Sequence, residues 1–521
     1  MKNKFFKNLF LILSTIILYI LSFPNIFFKA NIPLLGHITA FLWPISFFYL
    51  MRNQTKFKAF LLGLTIGYFI NLLSFYWLIS TLHEYGMIPI LISFGIINLM
   101  VIYLALYWGI FSFFASLYKN LSTIKKLILL PLLWCVLGFI KGHIVSGFPW
   151  LGLEYSQYLN IYFIQISDIV GPYFFSGVIF LIGYLFYFVI STSKKQMRIH
   201  LSLILITIFI LLYGYGFIRI QTLKPTREIA VGAIQPCLYP EIKDNPRFYN
   251  KNFNVYLRQS EEIMMKLPGT KLIVWPETSL RYPLRYDKIK VRKIRNLSKK
   301  YNTAFIVGNE DYYKDYTTYN YILKNGAAYI YKDVGPDFYF KRHLVPFGEF
   351  IPFRKLLVPF KKYTDILLDF TPGEEYTVFD LDDKFKISVL VCYEIIFPEE
   401  VTRYIRNDCN IITNVTNNVW YGYSAGPLQD IAFAVFRAAE TKCPVVKSAN
   451  NGVSLIVNGK GGIQQKLGID IKGVICDTVE IYNLKTFFSK YPFLFSFLTI
   501  FLFIGMNIYV FIKKEKPEKE F

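Results

Sequence analysis

The stretch Ile387-Ser388-Val389-Leu390-Val391-Cys392-Tyr393-Glu394 decides how the second half of this chain folds. A short, almost wholly apolar run of this kind reads as a buried strand. It ends on a thiol, and the chain then turns into Ile395-Ile396-Phe397-Pro398. A thiol at a strand-to-helix turn feels the backbone N–H groups of the helix start, which favour the thiolate. Those N–H groups can also receive a developing oxyanion. Taken alone, the pattern reads more simply as a core cysteine.

Two further strand ends change the weighing. Lys271-Leu272-Ile273-Val274-Trp275-Pro276-Glu277 is a buried strand that delivers a carboxylate just past its end. Phe338-Tyr339-Phe340-Lys341-Arg342-His343-Leu344-Val345-Pro346-Phe347-Gly348-Glu349 brings a lysine out of an aromatic strand, with a second carboxylate following. Alone, Glu277 is as well explained as a loop residue and Lys341 as a solvated charge. Around them, 304–307, 410–413, 445–447 and 454–457 also read as buried strands, and 250–267, 288–300 and 427–441 as helices. Strands alternating with helices predict a layered α/β domain, and the region from 222 to 489 is long enough for one core.

The rest of the chain is of a different kind. Of 521 residues, 54% are hydrophobic, 19% aromatic and only 18% charged. Soluble domains carry about 25% charge, so this composition excludes a wholly soluble enzyme and a disordered chain alike. The apolar residues concentrate at 5–23, 33–51, 59–81, 87–118, 127–140, 169–191, 201–220 and 493–512. Most of these approach the length of about 20 residues that spans a bilayer as a helix; 127–140 is the shortest. The expectation is eight spans, divided as a seven-helix membrane domain over 1–221, an α/β domain over 222–489, and a last helix with its tail over 490–521. The first run resembles a signal peptide in position, but no small-residue cleavage site follows it.

Lys and Arg in the short loops set the orientation. One side carries Lys2, Lys4 and Lys7; Arg52, Lys56 and Lys58; Lys119, Lys125 and Lys126; Lys194, Lys195 and Arg198; and Lys513, Lys514, Lys516 and Lys519. The other side has only Lys29 and Lys141. Both termini are therefore expected in the cytoplasm and the α/β domain outside, which in a bacterium is the periplasm. The net charge of +22 is largely accounted for by this asymmetry and by contact with anionic headgroups. No clustered basic module points to nucleic acid.

Of the 6 cysteines, Cys135 lies in a span, and Cys237, Cys409, Cys443 and Cys476 read as small buried hydrophobes. No Cys/His spacing suits a metal, and His37, His83, His143, His200 and His343 form no ligand pair. No metal and no cofactor are expected.

Glu277, Lys341 and Cys392, in that order, resemble the nitrilase superfamily, in which a Glu–Lys–Cys triad sits on an αββα sandwich. With the membrane segments included, the chain resembles the apolipoprotein N-acyltransferase family. That resemblance rests on Trp275-Pro276-Glu277, His343-Leu344-Val345-Pro346-Phe347-Gly348-Glu349, Cys392-Tyr393-Glu394, Asn417-Asn418-Val419-Trp420-Tyr421-Gly422, Asn450-Asn451-Gly452 and Gly147-Phe148-Pro149-Trp150. It implies a multi-pass enzyme of the bacterial inner membrane, acting as a monomer on a phospholipid acyl donor and a diacylated apolipoprotein acceptor. Glu277 would be the general base, Cys392 the nucleophile and Lys341 the oxyanion partner. Glu349, Tyr393, Glu394, Trp420 and Trp150 would support the site or bind substrate. Two departures stand out: family members often have Asp at the position of Asn418, and a Trp in the loop after the first strand, where 235–244 has none. Tyr239 is the candidate replacement. The segment 354–370 mixes Leu, Ile and Phe with Arg and Lys and suits an interfacial arm. The competing readings are a membrane-tethered nitrilase-type amidase acting on a small periplasmic amide, and a non-enzymatic receptor or transport component.

Overall fold

The structure is a computed structural model that describes residues 2–25, 33–314, 321–350 and 369–512. Most of the expected arm, 354–368, and the basic tail 513–521 lie outside the described residues. The chain divides into two compact units: Met1–Thr222 with Ser424–Ala432 and Tyr491–Phe521, and Leu223–Tyr423 with Phe433–Lys490.

The first unit is helical. Among the described residues, six helices are long and apolar enough to cross a membrane: Lys56–Ser74, Ile90–Leu117, Thr123–His143, Phe163–Ser191, Lys195–Thr222 and Leu494–Ile512. Leu35–Met51 is apolar but shorter, and Lys2–Ile20 opens the chain as a helix. The run expected over 127–140 is longer than its apolar core suggests, because Lys125, Lys126 and Lys141 are also helical. Small residues let two helices touch closely: a Cβ on Gly63 would lie 2.0 Å from Ser112 Oγ, and one on Gly67 2.6 Å from Trp108. That is how lipid-immersed helices associate when apolar burial gives no net drive. Trp43, fully buried, stands among Tyr19, Trp108 and Trp134 with ring centres 5.3–5.4 Å away.

The second unit contains two six-stranded sheets. The strands of the first are β1 Arg227–Gln235, β2 Leu272–Val274, β3 Ala304–Lys314, β4 Tyr321–Tyr331, β5 Val334–Phe340 and β12 Gly473–Ile481, in the order β12-β1-β2-β3-β4-β5. Those of the second are β6 Val378–Leu381, β7 Phe385–Val391, β8 Ile411–Thr416, β9 Val445–Ala449, β10 Ser454–Val457 and β11 Ile463–Leu467, in the order β11-β10-β9-β8-β7-β6. Each sheet has a parallel centre, β1-β2-β3 in one and β7-β8-β9 in the other. Parallel neighbours need crossover connections, and helices supply them: Tyr249–Lys266, Lys288–Tyr301, Pro398–Arg406 and Gly426–Thr441.

Burial explains the all-apolar strands. Phe253, Tyr256, Ile263, Val291 and Ile294 of two crossover helices pack with Ile273, Trp275, Phe305 and Val307 in one core. The sheets also meet each other. Ser448 Oγ donates to the Ile234 carbonyl at 2.8 Å, and Tyr329 stacks on Phe379 at 4.9 Å. Strands covered on both faces have no polar side to alternate.

Candidate active site

In open parallel sheets, functional groups collect beyond the carboxyl ends of the strands. β2 ends at Val274, and Trp275-Pro276 carries the chain to Glu277. This passage depends on a glycine in the next strand. A Cβ at Gly308 would stand 2.0 Å from the Pro276 carbonyl oxygen and 2.7 Å from Glu277 Cα. β5 ends at Phe340, immediately before Lys341. β7 ends at Val391, immediately before Cys392.

Lys341 and Glu277 are buried, at 1% and 6% exposure. Lys341 Nζ donates to Glu349 at 2.9 Å (Oε1) and pairs with its other oxygen at 2.8 Å. Burial by itself pushes an ammonium down, but Glu349, Glu277 and Cys392 together hold Lys341 above its ordinary range, so it stays a cation. Glu277 is pushed the other way. Burial raises its carboxyl, Lys341 opposes that, the neighbouring Glu349 adds to it, and the Asn325 amide and Lys243 oppose it. A carboxyl raised toward neutrality while facing a cation is suited to taking and returning a proton.

Asn325 was not legible in the sequence. Its Nδ2 donates both to Glu277 Oε1 at 2.7 Å and to Glu349 Oε1 at 2.9 Å, bridging two carboxylates that would otherwise repel. Its main-chain carbonyl accepts from the Lys341 N–H at 2.8 Å. One residue of β4 therefore fixes both the Glu277 carboxyl and the backbone that carries the ammonium. The Lys341 carbonyl is held in turn by the Gly373 N–H at 2.7 Å.

Cys392 lies in the left-handed region, with φ 52°. The sequence placed it at a strand-to-helix turn; the turn is a single 3₁₀ turn, Cys392–Ile396, and the helix begins only at Pro398, so no helix N-terminus lies at the thiol. The turn is too short for a helix dipole, and its geometry comes from a side chain. Glu394 accepts from the Val391 N–H at 2.7 Å, the Arg342 N–H at 2.7 Å and the Tyr339 hydroxyl at 2.8 Å. It therefore ties the strand end of the thiol to the strand end of the ammonium. On the other side, Asn414 Nδ2 donates to the carbonyls of Leu390 at 3.0 Å and Cys392 at 3.3 Å, and Lys447 donates to Asn414 at 2.7 Å.

The remaining predicted residues are placed as follows. Tyr393 is buried against Phe397, with ring centres 5.1 Å apart. Trp420 lies in the turn Asn418–Tyr421 after β8 and is half-buried. Asn418 accepts from the Thr416 hydroxyl at 2.6 Å, a neutral role that needs no charge. Trp150 belongs to the helical unit, where its indole N–H donates to Gln429 at 2.8 Å and its ring stacks on Phe148. Tyr239 is exposed. None of the six cysteines forms a disulfide. No group of three or more His, Cys, Asp or Glu side chains suits a metal ion among the described residues.

Two family matches cover this architecture in order: the apolipoprotein N-acyltransferase N-terminal domain over residues 17–185 and carbon-nitrogen hydrolase over 232–484. A protein of Geobacter metallireducens named apolipoprotein N-acyltransferase is 30% identical over 452 residues, covering 85% of each chain. The chain belongs to the apolipoprotein N-acyltransferase family. A Rickettsia prowazekii protein of the same name is 29% identical over 410 residues, covering 75% of this chain and 80% of its own. A nitrilase-superfamily structure from Saccharomyces cerevisiae matches 49% of this chain and 91% of its own, with 21% identity and a TM-score of 0.38.

Proposed function

We propose that the protein moves an acyl chain from a phospholipid to the α-amino group of the N-terminal diacylglyceryl-cysteine of apolipoproteins, through a thioester on Cys392. The observation that carries this reading is the buried Lys341 ammonium, held by Glu349 and facing Glu277 and Cys392, in a chain of this family.

In the first half-reaction, Glu277 takes the thiol proton and the Cys392 sulfur attacks the donor's ester carbonyl. Lys341 and N–H groups near Tyr393 stabilise the oxyanion. The tetrahedral adduct collapses, Glu277 returns the proton to the departing alkoxide, and lysophospholipid leaves. In the second, Glu277 takes a proton from the acceptor amine as it attacks the thioester. The thiolate leaves and takes the proton back from Glu277, and an amide is formed. Thioester to amide runs downhill, and a thioester resists water better than it resists amines.

The frame proposed for this chemistry is eight spans, with both termini cytoplasmic and an αββα sandwich in the periplasm. Extracting a two-chain lipid into water costs about 0.8 kcal/mol per CH₂, so a site fixed at the outer leaflet avoids that cost.

The test uses detergent-solubilised protein and phosphatidylethanolamine labelled in its acyl chain. A hydroxylamine-labile adduct is expected, absent in Cys392→Ala and discharged by a diacylated lipopeptide. Glu277→Ala is expected to slow adduct formation about a hundredfold. Turnover of a small soluble amide without any lipid adduct would overturn the proposal in favour of an amidase.

A further inference from the structure

The loop after β1 lacks the tryptophan common in the family, but it brings a different group to the base. Its short helix Pro240–Lys243 ends in a lysine that is only 4% exposed. Lys243 Nζ donates to the main-chain carbonyl of Glu277 at 3.0 Å. The loop is fastened on both sides. Asn450 donates to the Leu238 carbonyl at 2.7 Å and accepts from the Leu238 N–H at 3.2 Å. Asp244 pairs with Arg281 at 2.7 Å, and Arg281 pairs in turn with Glu310 at 2.7 Å.

Burying an ammonium costs several kcal/mol unless opposite charge compensates it. A methionine would fill the same space without that cost, so the charge is what distinguishes lysine here. Resting on the triad reading above, we propose that Lys243 is a positioning residue for the base: its hydrogen bond fixes the Glu277 main chain, and its charge favours the Glu277 carboxylate.

The charged groups around the pair agree with this. Glu277 faces Lys341, Glu349 and Lys243, with the neutral Asn325 amide between the two carboxylates. Lys243 faces Arg281, Glu277, Asp244 and Glu310. Burial, with Arg281 adding to it, pushes the Lys243 ammonium down to about 8, while the three carboxylates oppose the shift.

The test reads the thiol without lipid. Alkylation of Cys392 by iodoacetamide is followed on the full-length solubilised protein by mass spectrometry of the Cys392 peptide, as a function of pH. Glu277→Gln should remove the acid limb that the base imposes. Lys243→Met and Lys243→Gln should both move that limb to higher pH by about one unit, a fall of about tenfold in rate on its acid side. Neither should add a shift in the Glu277→Gln background. Glutamine can still donate to the carbonyl, so a wild-type limb in Lys243→Gln would overturn the role of charge. Unchanged limbs in both variants, or failure of both to fold at any pH, would overturn the proposal in favour of plain packing. Absence of a lipid adduct on the wild-type enzyme would sink acyl transfer but leave this result standing.

Discussion

Asn325 shows how much of the candidate chemistry rests on a neutral side chain. Its amide holds two carboxylates toward one ammonium. Asn325→Ala should slow adduct formation about tenfold or more, the worth of one bond to a charged group, in a rapid-quench assay. Asn325→Asp should slow it further, because a third carboxylate joins the pair. Cys392, Glu277 and Lys341 were legible only together: each follows an apolar or aromatic strand, and their order resembles the nitrilase superfamily. Asn325 sits within Lys324-Asn325-Gly326, and Lys243 within Glu241-Ile242-Lys243-Asp244. Nothing local singles out Asn325, and in the loop 235–244 it was Tyr239 and the missing Trp, not the lysine, that drew the reading. Only pairing of β4 with β5, and the return of the first loop to the Glu277 carbonyl, gives them their partners.

Among elements, the passage from β2 into Glu277 depends most on close approach. Gly308→Ala puts a methyl group where the Pro276 carbonyl stands. Adduct formation should fall well before the thermal midpoint shows a comparable loss, because the displaced group is the proposed base and not the core. The helix Pro398–Arg406 carries a pH-dependent liability. Burial pushes the Glu399 carboxyl up to about 7, despite a backbone hydrogen bond and Arg437. A folded-state value above the unfolded one means that stability is lost as pH rises from about 4.5 toward 7. Glu399→Gln should therefore flatten the fall in thermal midpoint over that window. The strands were legible because burial on both faces makes them continuously apolar. The tie that shapes the turn after Cys392 was not, because Glu394 bonds both to the adjacent strand end at Val391 and to Arg342 beyond the end of β5.

For the whole molecule, the lysine asymmetry of the short loops leads to a topological prediction. A fluorescent protein fused after residue 521 should fluoresce, and alkaline phosphatase at the same site should be inactive. Truncations that place either reporter within 222–489 should give the opposite result. Equal activity of a reporter at both positions would refute the orientation. The broad division into a helical part and an α/β part was readable from hydropathy and strand patterning, whereas two sheets were expected only from the resemblance. The grouping of Ser424–Ala432 with the helical unit was not, because that segment begins an otherwise ordinary crossover helix.

The left-handed backbone at Cys392 has a consequence for how such an enzyme can change. An L-residue in that conformation costs about 1–2 kcal/mol that glycine does not pay. Cys392→Gly should therefore melt at a higher temperature than the wild type while forming no adduct. Selection for robustness alone would erode the proposed nucleophile, so its retention in a lineage would report continuing demand for the chemistry.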